Sequence, residues 1–173
     1  MVTVEDGSGL AAADSYVDVA FTDAYLLQYR RGSSWETATT QAKEDALLVA
    51  AQYLDAKFGC RWLGSRGSAD QGLDWPRKRV ILNGERLDES GTDSIPRDLK
   101  RAQSEMALTV LDGTDPFEVL ASGAGSVKAE SSELGPLKER FEYVGGAREL
   151  PVFRNVALLL SRLVRPSGEL NRS

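Results

Sequence analysis

Thr39-Thr40-Gln41-Ala42-Lys43-Glu44-Asp45-Ala46-Leu47-Leu48-Val49-Ala50-Ala51-Gln52-Tyr53-Leu54-Asp55-Ala56-Lys57-Phe58 decides the fold of this chain. Ala46, Leu47, Ala50, Tyr53, Leu54 and Phe58 recur at steps of three and four, so a helix places them on one face. Lys43, Glu44, Asp45, Gln52 and Asp55 fill the remaining positions. Gly59 stands where a C′ glycine ends a helix. The small alanines on the apolar face imply close approach of other helices, so the flanking sequence is read for partners.

Upstream, residues 15–30 predict a first helix. Ser15 and Asp18 have capping-box spacing, with Asp in place of the usual Glu. Val17, Ala20, Phe21, Ala24 and Leu27 form its stripe, and Gly32 follows as a stop signal. Downstream, residues 59–95 carry no helical period. Trp62, Leu63, Leu73, Trp75, Val80, Ile81 and Leu82 demand burial, so this reads as an ordered insertion. Asn83-Gly84 is a type I′ turn signal and predicts a short hairpin between residues 79–82 and 85–87. Pro96 opens a third helix at N1, with Asp98 in the first turn. Leu99, Ala102, Met106 and Val110 are its stripe, and Asp112-Gly113 closes it.

Residues 113–125 read as a linker. Residues 126–144 read as two strands around Leu134-Gly135-Pro136, with Leu137, Glu139, Phe141 and Tyr143 alternating with Lys138, Arg140, Glu142 and Val144. Residues 152–164 predict a last helix with Val156, Leu159, Leu160 and Leu163 on its apolar face. Pro166 stops it, and a polar tail runs to Ser173. The expected fold is mainly α, a bundle of about four helices with a β-hairpin extension and a C-terminal helix plus tail. Its parts are a helical body over 1–112 with a Trp-rich insertion at 59–95, a linker and hairpin arm over 113–149, and the helix and tail over 150–173.

The 173 residues carry a net charge of −5. Wrapping nucleic acid needs clustered Lys and Arg, which an acidic chain supplies poorly. One cysteine, Cys60, excludes an internal disulfide. Met1-Val2-Thr3-Val4-Glu5-Asp6 is acidic where a secretory signal is basic, and the longest apolar run is residues 156–160. The expectation is a soluble protein made in the cytoplasm, without membrane contact.

Histidine is absent, which removes the commonest general base and the His-dependent nucleophile pairs and metal sites. Cys60 has no activating neighbour in sequence and reads as a small filler at a helix end. Asp88, Glu89 and Asp93 lack the spacing of a calcium loop. Gly7-Ser8-Gly9 lacks the third glycine and the preceding strand of a dinucleotide fingerprint. No catalytic residue, cofactor or metal site is expected. Arg61, Arg66, Arg77, Lys78 and Arg79 bracket Trp62 and Trp75, and cations interleaved with aromatics can stack single-stranded bases. Asp70, Asp74, Glu85, Asp88 and Glu89 lie among them, which favours a core role for both indoles. The hairpin arm is marginal alone and must dock on its own body or a neighbour.

Several segments together carry a resemblance. They are Val4-Glu5-Asp6-Gly7-Ser8-Gly9-Leu10 with Ala13-Asp14-Ser15-Tyr16, then Ser68-Ala69-Asp70-Gln71-Gly72-Leu73-Asp74-Trp75-Pro76-Arg77. Ile95-Pro96-Arg97-Asp98-Leu99-Lys100 and the region 127–143 complete the set. Their order resembles the head–tail connector, or adaptor, proteins of tailed bacteriophages, a group also labelled DnaT-like single-stranded-DNA-binding phage proteins. The Gln71, Leu73, Trp75, Pro76, Arg77 element is the most specific part and is expected to be structural, with Arg77 facing a carboxylate.

The connector resemblance implies a non-enzymatic virion subunit, assembled in the host cytoplasm and located in the neck. It implies a homo-oligomeric ring of twelve copies beneath the portal protein, joined to a tail-side neck or terminator protein. DNA would pass through an acidic lumen without sequence-specific contact. On that plan Arg165, Pro166, Leu170 and Arg172 contact the portal, and Lys138, Arg140, Phe141 and Tyr143 lie at the subunit interface. The alternative is a single-stranded-DNA-binding replication accessory protein, against which the acidity of the chain argues.

Overall fold

The computed structural model describes residues 1–29, 33–87, 94–118 and 150–165. The fold is mainly α. In chain order it comprises α1 (Val19–Gln28), α2 (Ser33–Thr37), α3 (Thr40–Phe58), a 3-10 turn (Gly59–Arg61), strands β1 (Ser65–Arg66), β2 (Arg77–Lys78), β3 (Ile81–Leu82) and β4 (Glu85–Arg86), then α4 (Arg97–Leu111) and α5 (Arg154–Leu160). The chain divides into one unit of Met1–Asp115 with Val152–Ser173 and a second of Pro116–Pro151. Most of the second unit lies outside the described residues, including 119–125 of the predicted linker and the predicted strands of 126–144.

α3 forms as its periodicity requires. Thr39 is extended and its hydroxyl accepts from the Ala42 amide at 3.2 Å, a cap that contributes about 1 kcal/mol. Ala46, Leu47, Ala50, Tyr53, Leu54 and Phe58 are all buried, with Ala51 beside them. Gly59 does not take the left-handed C′ conformation expected of it. It sits at φ −47° and ψ −49°, and the chain tightens into the 3-10 turn. The glycine serves close approach instead, since a Cβ there would meet Asp74 Oδ2 at 2.8 Å.

α1 departs further from its prediction. Ser15 does not cap it, because the Ser15 hydroxyl donates to Val17 O and its backbone bridges Val4. Asp18 is the cap, accepting from the Phe21 amide at 2.7 Å, and the helix begins at Val19. The buried face is Thr22 and Leu26, whereas Leu27 of the expected stripe is 73% exposed. Thr22 goes inward because its hydroxyl bonds the Ser104 hydroxyl at 3.1 Å. α2 was not anticipated. It is one short turn that buries Trp35, whose indole N–H donates to Asp23 at 2.6 Å while Lys43 lies over the ring.

α4 is the centre of the helical unit, packing most extensively on α3, then on α5, with α1 and α2 against it. Pro96 is its N-cap and not N1. Its C-terminus is a Schellman arrangement, with Gly113 at φ +92°, Gly113 N–H donating to Val110 O and Thr114 N–H to Thr109 O. Leu99, Ala102 and Met106 are buried as the stripe predicts, but so are Gln103, Ser104 and Glu105. Each of these polar groups reaches beyond α4 to other parts of the chain. Gln103 accepts from Tyr16 N–H at 2.9 Å and donates to Ser15 Oγ and Leu47 O. Ser104 bonds α1 through Thr22, and Glu105 accepts from Tyr25 of α1 and Asn155 of α5. Leaving such a buried partner unpaired costs about 1–3 kcal/mol, so these three residues fix the register of the helices around α4.

α5 is shorter than the predicted 152–164. It ends at Leu160, and a turn carries Leu163 inward to bond Leu160 O at 2.8 Å. Val156, Leu160 and Leu163 are buried, and Val164 bridges Trp62. No helix among the described residues is long and apolar enough to cross a membrane.

Candidate nucleic-acid interface

The Trp-rich insertion is a structural knot. Gln71 is buried, and its side-chain amide donates to Leu73 O at 2.7 Å and Pro76 O at 3.1 Å while its oxygen accepts from Ser68 N–H. Arg66 donates to Gln71 O and Leu73 O from the outside of the same loop. The Trp75–Pro76 peptide is cis. Arg77 does not meet a carboxylate through hydrogen bonds. Its guanidinium donates to Leu63 O at 2.8 Å, Gly64 O at 3.1 Å and Asp74 O at 3.2 Å, which ties β2 to the chain before β1.

This knot closes on the N-terminal segment. The buried Glu5 carboxylate accepts from the backbone N–H groups of Gly7, Gly9 and Leu10, each at 2.9 Å. Gly72 N–H donates to Leu10 O. A Cβ on Gly72 would crowd Ala13 O and approach Ala11 O at 2.9 Å, so only glycine lets the two segments touch. Asp55 of α3 joins them. It accepts from Tyr16 OH at 2.6 Å and from Asp74 N–H at 3.0 Å, and Tyr16 OH in turn accepts from Trp75 N–H. Burial pushes the Asp55 carboxyl up to about 6, opposed by its two hydrogen bonds. Burial and the neighbouring Asp55 charge raise the Tyr16 hydroxyl well above its ordinary value. Three of the segments singled out by sequence therefore meet in one place, the third through Ser94, whose hydroxyl donates to Gly7 O at 3.3 Å.

The tryptophans are unavailable for stacking on bases. Trp62 and Trp75 are 1% and 0% exposed and pack edge to face at 6.0 Å. Of the five cations around them, three serve backbone oxygens. Arg61 holds Arg165 O, while Arg66 and Arg77 hold the knot. Lys78 and Arg79 are exposed.

A different place combines cations with an apolar floor. A cleft of 470 Å³ opens between the first turn of α1, the β3–β4 hairpin, the start of α4 and the turn after α5. Phe21, Leu82, Leu87, Ile95, Pro96 and Leu163 supply its apolar lining, and Arg97, Lys100 and Arg162 its positive charge. Each wall has a local cause. The Asp18 cap starts α1 so that Phe21 falls in its first turn. Asn83 and Gly84 have φ +54° and +85°, the type I′ turn that the sequence predicts, and Leu87 N–H extends the ladder to Val80 O. Pro96 caps α4, whose first turn sets Arg97 and Lys100 three residues apart. Asp98, the one carboxylate of the lining among the described residues, is ion-paired to Arg101 at 3.6 Å. Such a lining accepts a flat apolar group beneath and anionic oxygens at the rim.

Sequence reading missed this cleft. Arg97 and Lys100 were noticed within a segment, but Phe21 and Arg162 lie far away in the chain and nothing local marks them. Of the residues expected to bind a portal, Arg165 is exposed and its backbone is paired with Arg61. Pro166, Leu170 and Arg172 lie outside the described residues, as do Lys138, Arg140, Phe141 and Tyr143. Asp88, Glu89 and Asp93 lie outside them too. No cluster of potential metal ligands occurs among the described residues.

Fold and cleft together define a small helical protein with a cationic, apolar-floored groove. The chain belongs to the family described as "Putative DnaT-like ssDNA binding protein", whose model matches residues 1–172. No curated protein and no solved structure matches it.

Proposed function

We propose that the protein is a non-enzymatic DNA-binding protein that holds single-stranded DNA in the cleft between α1, the β3–β4 hairpin and the start of α4. The observation that carries this reading is the convergence of Arg97, Lys100 and Arg162 on one apolar recess containing Phe21. Phosphates need clustered cations, and unpaired bases need an apolar or aromatic face. The family description supports the same reading. The test is fluorescence anisotropy with a labelled oligothymidylate and with duplex of equal length, across a salt series. Preferential, salt-sensitive binding of the single strand, weakened in Arg97→Ala/Arg162→Ala, is the expected result. Equal affinity of the double variant would overturn the assignment of the cleft.

A second reading is a head–tail connector subunit, a ring of twelve copies beneath a phage portal, located in the virion neck and joined to a tail-side protein. The observation favouring it is the anchoring of the chain at its exit. Arg165 N–H donates to Arg61 O at 2.8 Å and the Arg61 guanidinium donates back to Arg165 O, which pins the backbone at Arg165. Val152 and Leu158 are 63% and 64% exposed, apolar surface that an assembly partner would cover. Electron microscopy of the chain mixed with the portal from the same genome tests it. A ring of added density at the narrow end supports the reading, and bare portals at saturating protein refute it.

A further inference from the structure

The cleft is sized for one nucleotide, and its lining is sorted as a nucleotide is. Its 470 Å³ falls within the range of small-molecule sites, about 300–1,000 Å³. Phe21 and Pro96 offer flat apolar faces to a base. Asn83, exposed in the hairpin turn, brings an amide with both donor and acceptor to the edge. Arg97, Lys100 and Arg162 supply charge for phosphate. The carboxylate of the lining among the described residues, Asp98, is engaged by Arg101 at 3.6 Å.

We infer that the cleft lodges a single nucleotide unit, with its base against Phe21 and Pro96, its base edge at Asn83, and its phosphates on Arg97, Lys100 and Arg162. This rests on the single-stranded-DNA reading and deepens it. A base inside a duplex is stacked on both faces and paired at its edge, and extruding it costs a few kcal/mol. The recess therefore selects single strands by shape, without a long basic track. It also takes a free nucleoside monophosphate.

The experiment is an amide-shift titration of the full chain with thymidine monophosphate, thymidine, inorganic phosphate and an eight-residue oligothymidylate. The expected result is that the monophosphate moves the amides of Phe21, Asn83, Gly84, Arg97 and Lys100 together, and that the oligomer moves the same set. Phe21→Leu keeps the apolar volume and is expected to weaken monophosphate binding at least about fivefold, the lower end of base–aromatic stacking. Asn83→Gly keeps the positive φ of the turn and is expected to weaken it less. Unchanged melting temperatures of both variants show that the loss is local. Identical shifts with inorganic phosphate, and no effect of Phe21→Leu, would overturn the inference by showing an anion site without a base. Oligomer binding that moves a different set of amides would overturn it while leaving the single-stranded-DNA function standing. Failure of the oligomer to bind at all would remove both.

Discussion

Asp55 is expected to favour the folded state more in mild acid than at neutrality, and replacing it should remove that contribution. Its carboxylate is enclosed by Tyr16 from the N-terminal segment and Asp74 from the Trp-rich loop, with Arg66 the cation acting on it from the same loop. Its pKa rises from 3.8 to about 6, chiefly through burial. A carboxyl whose folded value lies above its unfolded value binds its proton more tightly when folded. The protein then loses stability as pH rises from the unfolded value through the folded one. At 1.36 kcal/mol per unit the full penalty is about 3 kcal/mol, and about 2 kcal/mol of it falls between pH 4.5 and pH 7. Asp55→Asn removes the charge but sets an amide against Asp74 N–H, an offset of about 1–3 kcal/mol that does not vary with pH. Urea unfolding at both pH values isolates the effect as a difference of differences, because Asp6 and Asp23, whose values are lowered, titrate alike in both proteins. The wild-type protein should lose about 2 kcal/mol relative to the variant between pH 4.5 and pH 7. A constant difference across that range would refute the reasoning.

Other substitutions probe the remaining links. Gly72→Ala should destabilise the protein by about 1–3 kcal/mol through crowding of Ala11 O and Ala13 O, read as a lowered urea midpoint with unchanged slope. Gln103→Leu should cost about 1–3 kcal/mol by stranding Tyr16 N–H, again by urea unfolding. Trp75→Phe should lower stability without changing affinity for oligothymidylate, since the indole is fully buried. Arg97→Ala/Arg162→Ala should reduce the slope of log affinity against log salt by about 1.4, two phosphates at roughly 0.7 each for a single strand.

The sequence made α3, α4 and the Asn83-Gly84 hairpin legible because each is specified locally, by a 3.6-residue period, a terminal glycine or a turn that demands positive φ. α1 was misplaced because two capping residues compete. Ser15 and Asp18 both suit a cap, and only the Val4–Ser15 bridge, a contact eleven residues apart, removes Ser15 from contention. α2 was invisible because five residues hold no period, and Trp35 is buried by partners from α1 and α3. The burial of Gln103, Ser104 and Glu105 goes beyond the apolar stripe of Leu99, Ala102 and Met106 that the sequence predicts for α4. They go inside because a distant element supplies a partner to each, which a single helix pattern does not encode. In the Trp-rich loop the sequence leaves two readings of the cations beside the indoles, and the structure decides three of the five, since Arg61, Arg66 and Arg77 serve backbone oxygens.

The acidity of the chain weighs less against DNA than it first does. Net charge is a property of the whole surface, and at physiological ionic strength exposed charges further apart than about 8 Å are largely screened from one another. A strand in the cleft feels Arg97, Lys100 and Arg162 at contact and the remaining carboxylates through salt. On the proposed reading, a chain of net −5 with this cationic recess would bind a strand at the recess and repel it at acidic surface elsewhere. That combination favours occupancy of one short segment over coating of a long strand. It also separates the two functional readings by charge alone. A channel wall that lets DNA slide has no use for three cations converging on an aromatic recess, whereas a protein that holds a strand requires them. On the strand-binding reading, reversing Arg97 and Arg162 to Glu should abolish binding of oligothymidylate in the anisotropy assay, and undiminished binding would refute the assignment of the cleft.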